Sequence, residues 1–254
     1  VGAIGNAEWT GVRYRDVLAA AGARKSAVYT GHYGHDLHLS RDPKRTPISR
    51  GVPMAKAMEP HSIIAYEMNG EPIPKYHGFP VRIVCPGWAA STSHKWLQRI
   101  WVRDVVHDGE KMLGDSYRVP RYPVAPGATV PAEDFVIMES MLVKSVITSP
   151  QAGTAVAGRT LAVRGHAWAG DHSVSAVDVS TDFGATWQKT KLQRPPNKYS
   201  WQTWSAELKF PSQGYYEIWS RATDDRGVAQ PFVVQWNPHG YHGNAMHRIA
   251  VTVA

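Results

Sequence analysis

The spacing of apolar residues predicts few helices in the first half of the chain. Apolar residues recur every three or four positions over 12–21, which predicts a helix that ends at Gly22 in a left-handed conformation. Pro53–Met58 predicts a helical turn with proline at its first position. The segment 31–52 shows almost no period and is rich in His, Arg, Pro and Gly, so a long loop is expected there. Strands are predicted over 63–68, 80–84 and 96–106.

Beyond Met141 the pattern changes to short runs of β-forming residues separated by Gly, Pro, Asn and Asp. Seven such runs follow one another at regular spacing, which is typical of an immunoglobulin-like β-sandwich. Ser180–Gly184 is expected to form a hairpin turn with Gly184 at positive φ. The predicted strands are 143–147, 160–168, 174–181, 187–192, 201–210, 215–224 and 249–253.

The length of 254 residues favours two domains. The proline-rich stretch 117–131 predicts an extended connector, and the change of pattern puts the boundary at residue 140. The fold class predicted is therefore α+β, with a mixed α/β domain over 1–140 and a β-sandwich over 141–254.

Composition narrows the classes of function. With 43% hydrophobic and 19% charged residues and no apolar run near 18 residues, the chain is expected to be globular and without a membrane partner. The net charge of +7 comes from scattered residues, so an anionic substrate or an acidic protein is a better expected partner than nucleic acid. A single cysteine, Cys85, excludes an intrachain disulfide and a multi-cysteine metal site in this chain.

One constellation stands out as a candidate anion site. The segment His77–Arg82 places an imidazole and a guanidinium near Ser93, His94 and Lys95. These groups could hold a phosphate or an anionic cofactor tail by charge-assisted hydrogen bonds. An arginine that ties down loop carbonyl groups is an equally good interpretation from spacing alone.

Other chemistry-bearing residues support weaker hypotheses. His32, His35 and His38 lie three residues apart, but Gly31 and Gly34 argue against a helical metal site, and ordinary loop histidines are expected instead. The basic loop Arg41–Arg50 offers cations for an anion, although a solvated charge run is the commoner outcome. Cys85 is expected to be a small buried residue.

Several segments resemble the sulfite oxidase and sulfite dehydrogenase family of molybdopterin oxidoreductases, in particular its bacterial branch. They extend along the whole chain and include the specific pair AYEMNG and HGFPVR. The resemblance implies a molybdopterin-binding domain that lacks its N-terminal part, followed by an immunoglobulin-like domain of the kind that mediates dimerisation. The matching segments are 2–12, 65–72, 77–82, 86–87, 95–97, 236–237, Gly240 and 247–248.

The resemblance also implies roles for particular residues. His77 and Arg82 match positions that hold molybdopterin, and Ser93, His94 and Lys95 match the segment that grips its phosphate end. The cysteine that ligates molybdenum is expected upstream of Val1, so Cys85 is not assigned that role.

The chain departs from the family pattern where the substrate is expected to bind. His239 replaces a family arginine, Ile48 replaces a pocket tyrosine, and Ser40 replaces an aspartate that contacts the cofactor. We take Arg50 as the candidate replacement for the missing cation, and assign Arg50 and His239 to the catalytic pocket.

The function implied is oxidation of sulfite to sulfate by a periplasmic sulfite dehydrogenase that passes electrons to a c-type cytochrome, and a homodimer is the assembly expected. Two alternatives stay open: a related enzyme acting on a sulfoxide or a sulfur-carrier substrate, and a non-catalytic binding or assembly fragment.

Overall fold

The computed structural model describes residues 4–254, so Gly2 and Ala3 of the first motif lie outside the described residues. The chain divides into two compact units. The first extends to Glu139 and includes Asn237–His239, and the second comprises Ser140–Trp236 and Gly240–Ala254. Among residues 4–254, no helix combines the length and the apolar character that a membrane span requires.

The first unit contains nine strands and two α-helices within its described residues. Strand β4 pairs with β1, β5 and β6 in one sheet, β2 pairs with β3 and β7 in a second, and β8 pairs with β9. Three short 3-10 helices, at 75–77, 90–92 and 132–134, join these strands. In chain order the elements are β1 (Trp9–Arg13), α1 (Tyr14–Ala20), β2 (Tyr29–Gly34), β3 (Gly51–Pro53), α2 (Met54–Ala57), β4 (Ile63–Met68), β5 (Glu71–Pro72), β6 (Arg82–Val84), β7 (Leu97–Arg103), β8 (Arg118–Pro120) and β9 (Phe135–Ile137).

Helix α1 begins two residues later than its periodicity predicts because the preceding residues are held in the sheet. Strand β1 pairs with β4 through Arg13, and a Cβ on Gly11 would lie 2.3 Å from the Ile64 carbonyl oxygen. Only glycine permits this close approach. The helix ends as predicted, with Gly22 at a φ of +70°.

The loop predicted over 31–52 is shorter than expected. Strand β2 extends to Gly34, and β3 begins at Gly51. The first four residues of β2 are buried although several are polar, and this removes the alternation that predicts a strand. Helical content is also low, since α1 has seven residues and α2 has four. The described residues are thus mostly β, and the mixed α/β description is not confirmed.

The second unit is a sandwich of two sheets. One sheet has the strand order β10-β12-β16-β15, and the other has the order β11-β18-β17-β13-β14, with β11 parallel to β18. This arrangement is consistent with an immunoglobulin-like domain. The strands are β10 (Lys144–Ser149), β11 (Thr154–Val156), β12 (Thr160–Trp168), β13 (Val174–Ser180), β14 (Gln188–Lys189), β15 (Lys191–Leu192), β16 (Gln202–Lys209), β17 (Gly214–Asp224) and β18 (His247–Val253).

Six of the seven predicted strands of this unit agree with the observed ones to within a few residues. The predicted strand 187–192 is instead divided into β14 and β15, which lie in different sheets, and β11 was not predicted. Alternating residues of the two sheets meet in one core, which includes the fully buried Trp204 and Ile218. Gly184 has a φ of +85°, as the predicted hairpin turn requires.

Candidate functional site

Arg82 joins two loops of the first unit. It lies at the start of β6, and its guanidinium donates from Nη1 to the carbonyl of His77 at 2.8 Å and from Nη2 to the carbonyl of Ser93 at 2.7 Å. The same group lies 4.9 Å from the centre of the Trp9 ring. The structure therefore brings the predicted cofactor residues together, and it shows Arg82 bonded to loop carbonyls, as the second of the two interpretations proposed.

Lys95 and Trp96 strengthen this junction. Lys95 Nζ donates to the Tyr76 carbonyl at 3.0 Å, and Trp96 Nε1 donates to the Lys75 carbonyl at 2.8 Å. Gly78 has a φ of +115°, and a Cβ there would lie 3.1 Å from Lys95 Cβ. A larger residue at this position would separate the two loops. We call the group His77, Arg82, Ser93, His94 and Lys95 the Arg82 cluster.

The Arg82 cluster lies within a strongly basic stretch of the chain. Residues 73–103 include five lysines and arginines and no aspartate or glutamate. Burial lowers the pKa of Arg82 and that of His94. The guanidinium stays charged because its ordinary pKa is above about 12. At the cluster itself an anion would meet the charges of Arg82 and Lys95, and the carboxylate of Asp36 also acts on His94. The cations are Lys75, Arg82, Lys95, Arg99 and Arg103.

Spare hydrogen-bond donors show that the cluster fits the phosphate of a cofactor. The His77 ring is exposed and has no hydrogen bond to any described residue. Ser91 Oγ is buried without a hydrogen-bond partner, which is uncommon in folded proteins. Arginine carries five N–H donors and lysine three, so Arg82 and Lys95 both retain unused donors. These groups match what a phosphate oxygen requires.

His94 and Ser93 contribute in different ways. The His94 side chain is buried and packs edge-on against the ring of His32, with 6.4 Å between ring centres. Ser93 Oγ accepts a hydrogen bond from the backbone N–H of Cys85 at 2.9 Å and keeps its own hydroxyl hydrogen for another acceptor. We therefore assign His94 to the packing beneath the cluster, and His77, Ser93, Arg82 and Lys95 to its donors.

Arg50 lies away from the solvent, at the loop 111–117. It is fully buried, and its guanidinium donates to the carbonyls of Lys111 at 3.3 Å and Met138 at 3.4 Å. It also lies 4.9 Å from the centre of the Tyr117 ring. These contacts are those of a residue that positions a loop, rather than one that meets substrate directly. The pocket role of Arg50 stays a prediction, and the structure shows this arginine as a contact of the loop 111–117.

His239 contacts the same loop. Its Nε2 lies 3.2 Å from Asp115 Oδ2, and its ring lies 6.2 Å from that of Phe135. Asp115 and Tyr117 are two residues apart, so the loop connects both predicted catalytic residues. Lys111 and Tyr117 have φ values of +72° and +53°. Residues other than glycine rarely have a positive φ, and those that do cluster at functional sites.

Tyr117 was not predicted as a site residue. The resemblance places the pocket tyrosine at Ile48, whereas Tyr117 lies in the stretch predicted to be a connector. Its position next to Arg50 depends on a contact between distant parts of the chain, for which residue spacing gives no signal.

The remaining predicted features are placed as follows. His32 lies in β2 and not in a loop; its Nε2 is 3.1 Å from the Tyr14 hydroxyl, and burial lowers its pKa to about 3. Within residues 4–254, no group of three or more His, Cys, Asp or Glu side chains could hold a metal ion. The basic loop contributes Lys44 and Arg45 to a cleft of about 320 Å³ beside Tyr33 and Glu110.

Cys85 is buried, and burial raises the pKa of its thiol to about 12. Only the thiolate reacts with alkylating agents. We expect Cys85 to stay unlabelled by iodoacetamide at pH 8 in the native protein and to label fully after denaturation. Peptide mass mapping distinguishes it from any upstream cysteine. Labelling of native Cys85 within minutes would contradict this assignment.

Two family models match consecutive parts of the chain. Residues 1–111 match the oxidoreductase molybdopterin binding domain, and residues 135–254 match the Mo-co oxidoreductase dimerisation domain. The chain belongs to the sulfite oxidase family of molybdopterin oxidoreductases. The cofactor of this family member is the molybdenum cofactor, in agreement with the prediction.

Similar proteins support this assignment. The mitochondrial sulfite oxidase of Rattus norvegicus is 36% identical over 267 residues, which are 99% of this chain and 47% of that protein. The human enzyme is 36% identical over 268 residues, which are 100% and 48% of the two chains. The NAD(P)H nitrate reductase of Hordeum vulgare is 32% identical over 275 residues, and the match covers 99% of this chain and 30% of that protein. This chain thus spans about half the length of the sulfite oxidases it matches.

A solved structure has the same fold. The sulfane dehydrogenase SoxCD from Paracoccus pantotrophus superimposes with a TM-score of 0.77 at 26% identity, and the match covers 95% of this chain and 59% of that one.

Proposed function

We propose that this sulfite oxidase family member is part of a bacterial sulfite dehydrogenase, which oxidises sulfite to sulfate and passes the electrons to a c-type cytochrome in the periplasm. The observation that carries the proposal is the Arg82 cluster, in which the family segment HGFPVR meets Ser93–Lys95 through two guanidinium hydrogen bonds. Identities of 36% to sulfite oxidases support the choice of substrate.

The roles of the residues follow from their contacts. The molybdenum cofactor, when bound, supplies the two-electron oxidation. The Arg82 cluster binds its phosphate end, with Arg82 fixing the two loops and His77 and Lys95 offering free donors. Arg50 holds the loop 111–117 in place beside the Tyr117 ring, and His239 pairs with Asp115 of that loop.

A c-type cytochrome suits the chemistry of this proposal because the oxidation releases two electrons and a haem accepts one at a time. The branch that the sequence resembles is bacterial, and this supports the periplasm as the location. The dimerisation domain matched by residues 135–254 supports a homodimer.

A second candidate substrate is a sulfane sulfur atom on a carrier protein. An arginine would provide a fixed positive charge and a bidentate donor pair for an oxyanion. This chain has His239 where the resemblance to the family expects that arginine. The Nε2 atom of His239 lies 3.2 Å from Asp115 Oδ2, so the pair adds no net positive charge. This arrangement, together with the likeness to a sulfane dehydrogenase, favours a less charged substrate.

Steady-state assays on the full-length protein with cytochrome c as acceptor test the proposal. We expect turnover with sulfite, and stoichiometric molybdenum by mass spectrometry. Turnover with a persulfide on a carrier peptide but none with sulfite would establish the second candidate. Absence of molybdenum from the purified full-length protein would instead support a non-catalytic role.

Replacing His239 with arginine tests the charge of the pocket. His239→Arg should raise kcat/KM for sulfite by about tenfold, because one hydrogen bond to a charged group contributes about 1.5 to 3 kcal/mol. His172→Arg is the matched control, since His172 forms a similar pair with Asp225 at 3.1 Å in the second unit. A sulfite kcat/KM that His239→Arg leaves unchanged or lowers would remove His239 from the pocket.

A further inference from the structure

Two buried histidine rings lie beneath the Arg82 cluster. The His94 side chain is 5% exposed and His32 is fully buried, and the two rings meet edge-on with 6.4 Å between their centres. Nε2 of His32 lies 3.1 Å from the Tyr14 hydroxyl and 3.0 Å from Thr30 Oγ1, so its nearest polar partners are neutral. We call His32 and His94 the histidine pair.

The position of the His94 ring fixes the two donors beside it in sequence. Ser93 and Lys95 flank His94, and the His94 carbonyl accepts a hydrogen bond from the Ile83 N–H of β6 at 2.9 Å. A ring that is buried at one residue restricts the backbone of its immediate neighbours. Movement of this ring out of the core would therefore displace Ser93 and Lys95 together, and these are donors that the cluster offers to a phosphate.

Strand β2 makes room for the segment that carries His94. A Cβ on Gly34 would lie 3.0 Å from His94 Nε2, 2.8 Å from the Lys95 carbonyl oxygen and still closer to Asp36 Oδ1. Only glycine permits such an approach of the backbone. The His94 ring is thus held between two elements, with His32 of β2 on one side and its own segment on the other.

The charged groups that face His94 are Arg82 of β6, Asp36 after β2 and Lys95 of its own segment. Burial lowers the pKa of His94, Asp36 opposes this shift, and Arg82 adds to it. Asp36 does not come within ion-pair distance of His94, although both lie in the part of the chain that the structure describes. A proton on the His94 ring would therefore be a buried charge without a partner, beside two cations.

The groups that face His32 oppose a charge there as well. Burial lowers the pKa of His32 to about 3, and His94, His107 after β7 and Arg50 before β3 lower it further. Only the backbone of Thr92 acts in the opposite direction. The arrangement of the histidine pair is consequently one that exists with both rings neutral.

We propose that His94 is a positioning residue for the cofactor phosphate, and that acid releases the cofactor by protonating this ring and expelling it from its place against His32. A buried ion without a partner is unfavourable, so the charged ring moves to water and takes Ser93 and Lys95 with it. The inference rests on the proposed function, which puts the phosphate at the Arg82 cluster.

The direction of the pH dependence follows from the burial of the ring. In the core the pKa of His94 is below its ordinary value, whereas a ring released to water has an ordinary pKa of about 6.5. The released state therefore binds more protons as the pH falls below about 6.5. The buried position is fully favoured above that pH and loses its advantage below it.

The test follows molybdenum retention in the full-length protein after incubation between about pH 8 and about pH 5, with mass spectrometry after desalting. His94→Leu fills the same position without a titratable group, and it removes no hydrogen bond to a described side chain or backbone group. We expect it to retain molybdenum at neutral pH and to lower the pH of half-release by about one unit or more. His94→Lys introduces a buried cation and should reduce the neutral-pH molybdenum content about tenfold.

The control is His61→Leu, at an exposed histidine of the same unit, and its release profile should match that of the unchanged protein. The phosphate itself gains a proton near pH 6 in every variant, so the difference between His94→Leu and the unchanged protein isolates the ring. Circular dichroism at each pH distinguishes release of the cofactor from unfolding of the chain.

The outcomes separate this inference from the proposed function. Equal half-release pH values in His94→Leu and the unchanged protein would reduce the ring to a packing residue and overturn the inference alone, as would release that coincides with unfolding. An unchanged protein that contains no molybdenum at neutral pH would overturn the proposed function and the inference together. If His94→Lys does not fold, the comparison with His94→Leu decides by itself.

Discussion

Arg82→Ala should reduce the molybdenum content of the full-length protein at least tenfold. Two of the hydrogen bonds of the guanidinium join the loops, through the carbonyls of His77 and Ser93, and each contributes about 1.5 to 3 kcal/mol. Their loss frees the two loops that carry the phosphate donors, and it also removes the positive charge that an anionic cofactor meets. Mass spectrometric analysis of molybdenum in the purified variant measures the effect.

Two further variants separate geometry from charge at this site. Arg82→Lys keeps the charge but cannot reach both carbonyls. Its molybdenum content should therefore lie between that of the unchanged protein and that of Arg82→Ala. Arg99→Ala removes a neighbouring arginine that stacks on Tyr33 at 3.9 Å, and should leave the molybdenum content unchanged. Full occupancy in Arg82→Ala would exclude Arg82 from cofactor binding, and equal losses in Arg82→Ala and Arg99→Ala would point to charge alone.

Arg50→Ala is expected to destabilise the first unit by about 3 to 5 kcal/mol. The substitution leaves the buried Met138 carbonyl without its donor, at about 1 to 3 kcal/mol, removes the donor of the partly buried Lys111 carbonyl, and opens a cavity where the side chain was. For a chain of this size the unfolding temperature should fall by about 10 °C. Differential scanning calorimetry measures the change in the transition of the first unit.

The same variant tests the role of the loop 111–117 in activity. Without the guanidinium beside its ring, Tyr117 loses a contact that holds it, so kcat for the substrate should fall about 10-fold or more while the molybdenum content is retained. Arg45→Ala, in the exposed part of the basic loop, is the matched control and should change stability by less than about 0.5 kcal/mol. A stable and fully active Arg50→Ala protein would show that the loop does not depend on this arginine.

Local patterns along the chain determined most of the secondary structure. The strands 63–68 and 160–168 have the bounds that were predicted for them. Their signals, the alternation of apolar residues and the glycines of the turns, depend only on residues a few positions apart in sequence. The polar strand β2 was missed for the same reason: its burial comes from neighbours distant in sequence, including β7. The start of α1 likewise depends on pairing between β1 and β4.

The candidate site divides in a similar way. The residue types of the Arg82 cluster and the family resemblance were readable from the sequence, but its two loops and the carbonyls that Arg82 binds were not. The pairing of Asp115 with His239, and of Arg50 with Tyr117, joins positions that lie far apart along the chain. Sequence alone therefore determined the family, the cofactor and most strand positions, because these depend on residue identity and short-range spacing. Only the tertiary structure decided that Arg50 is a buried support and that Tyr117 lies beside it, because burial and long-range hydrogen bonds depend on how distant segments pack together.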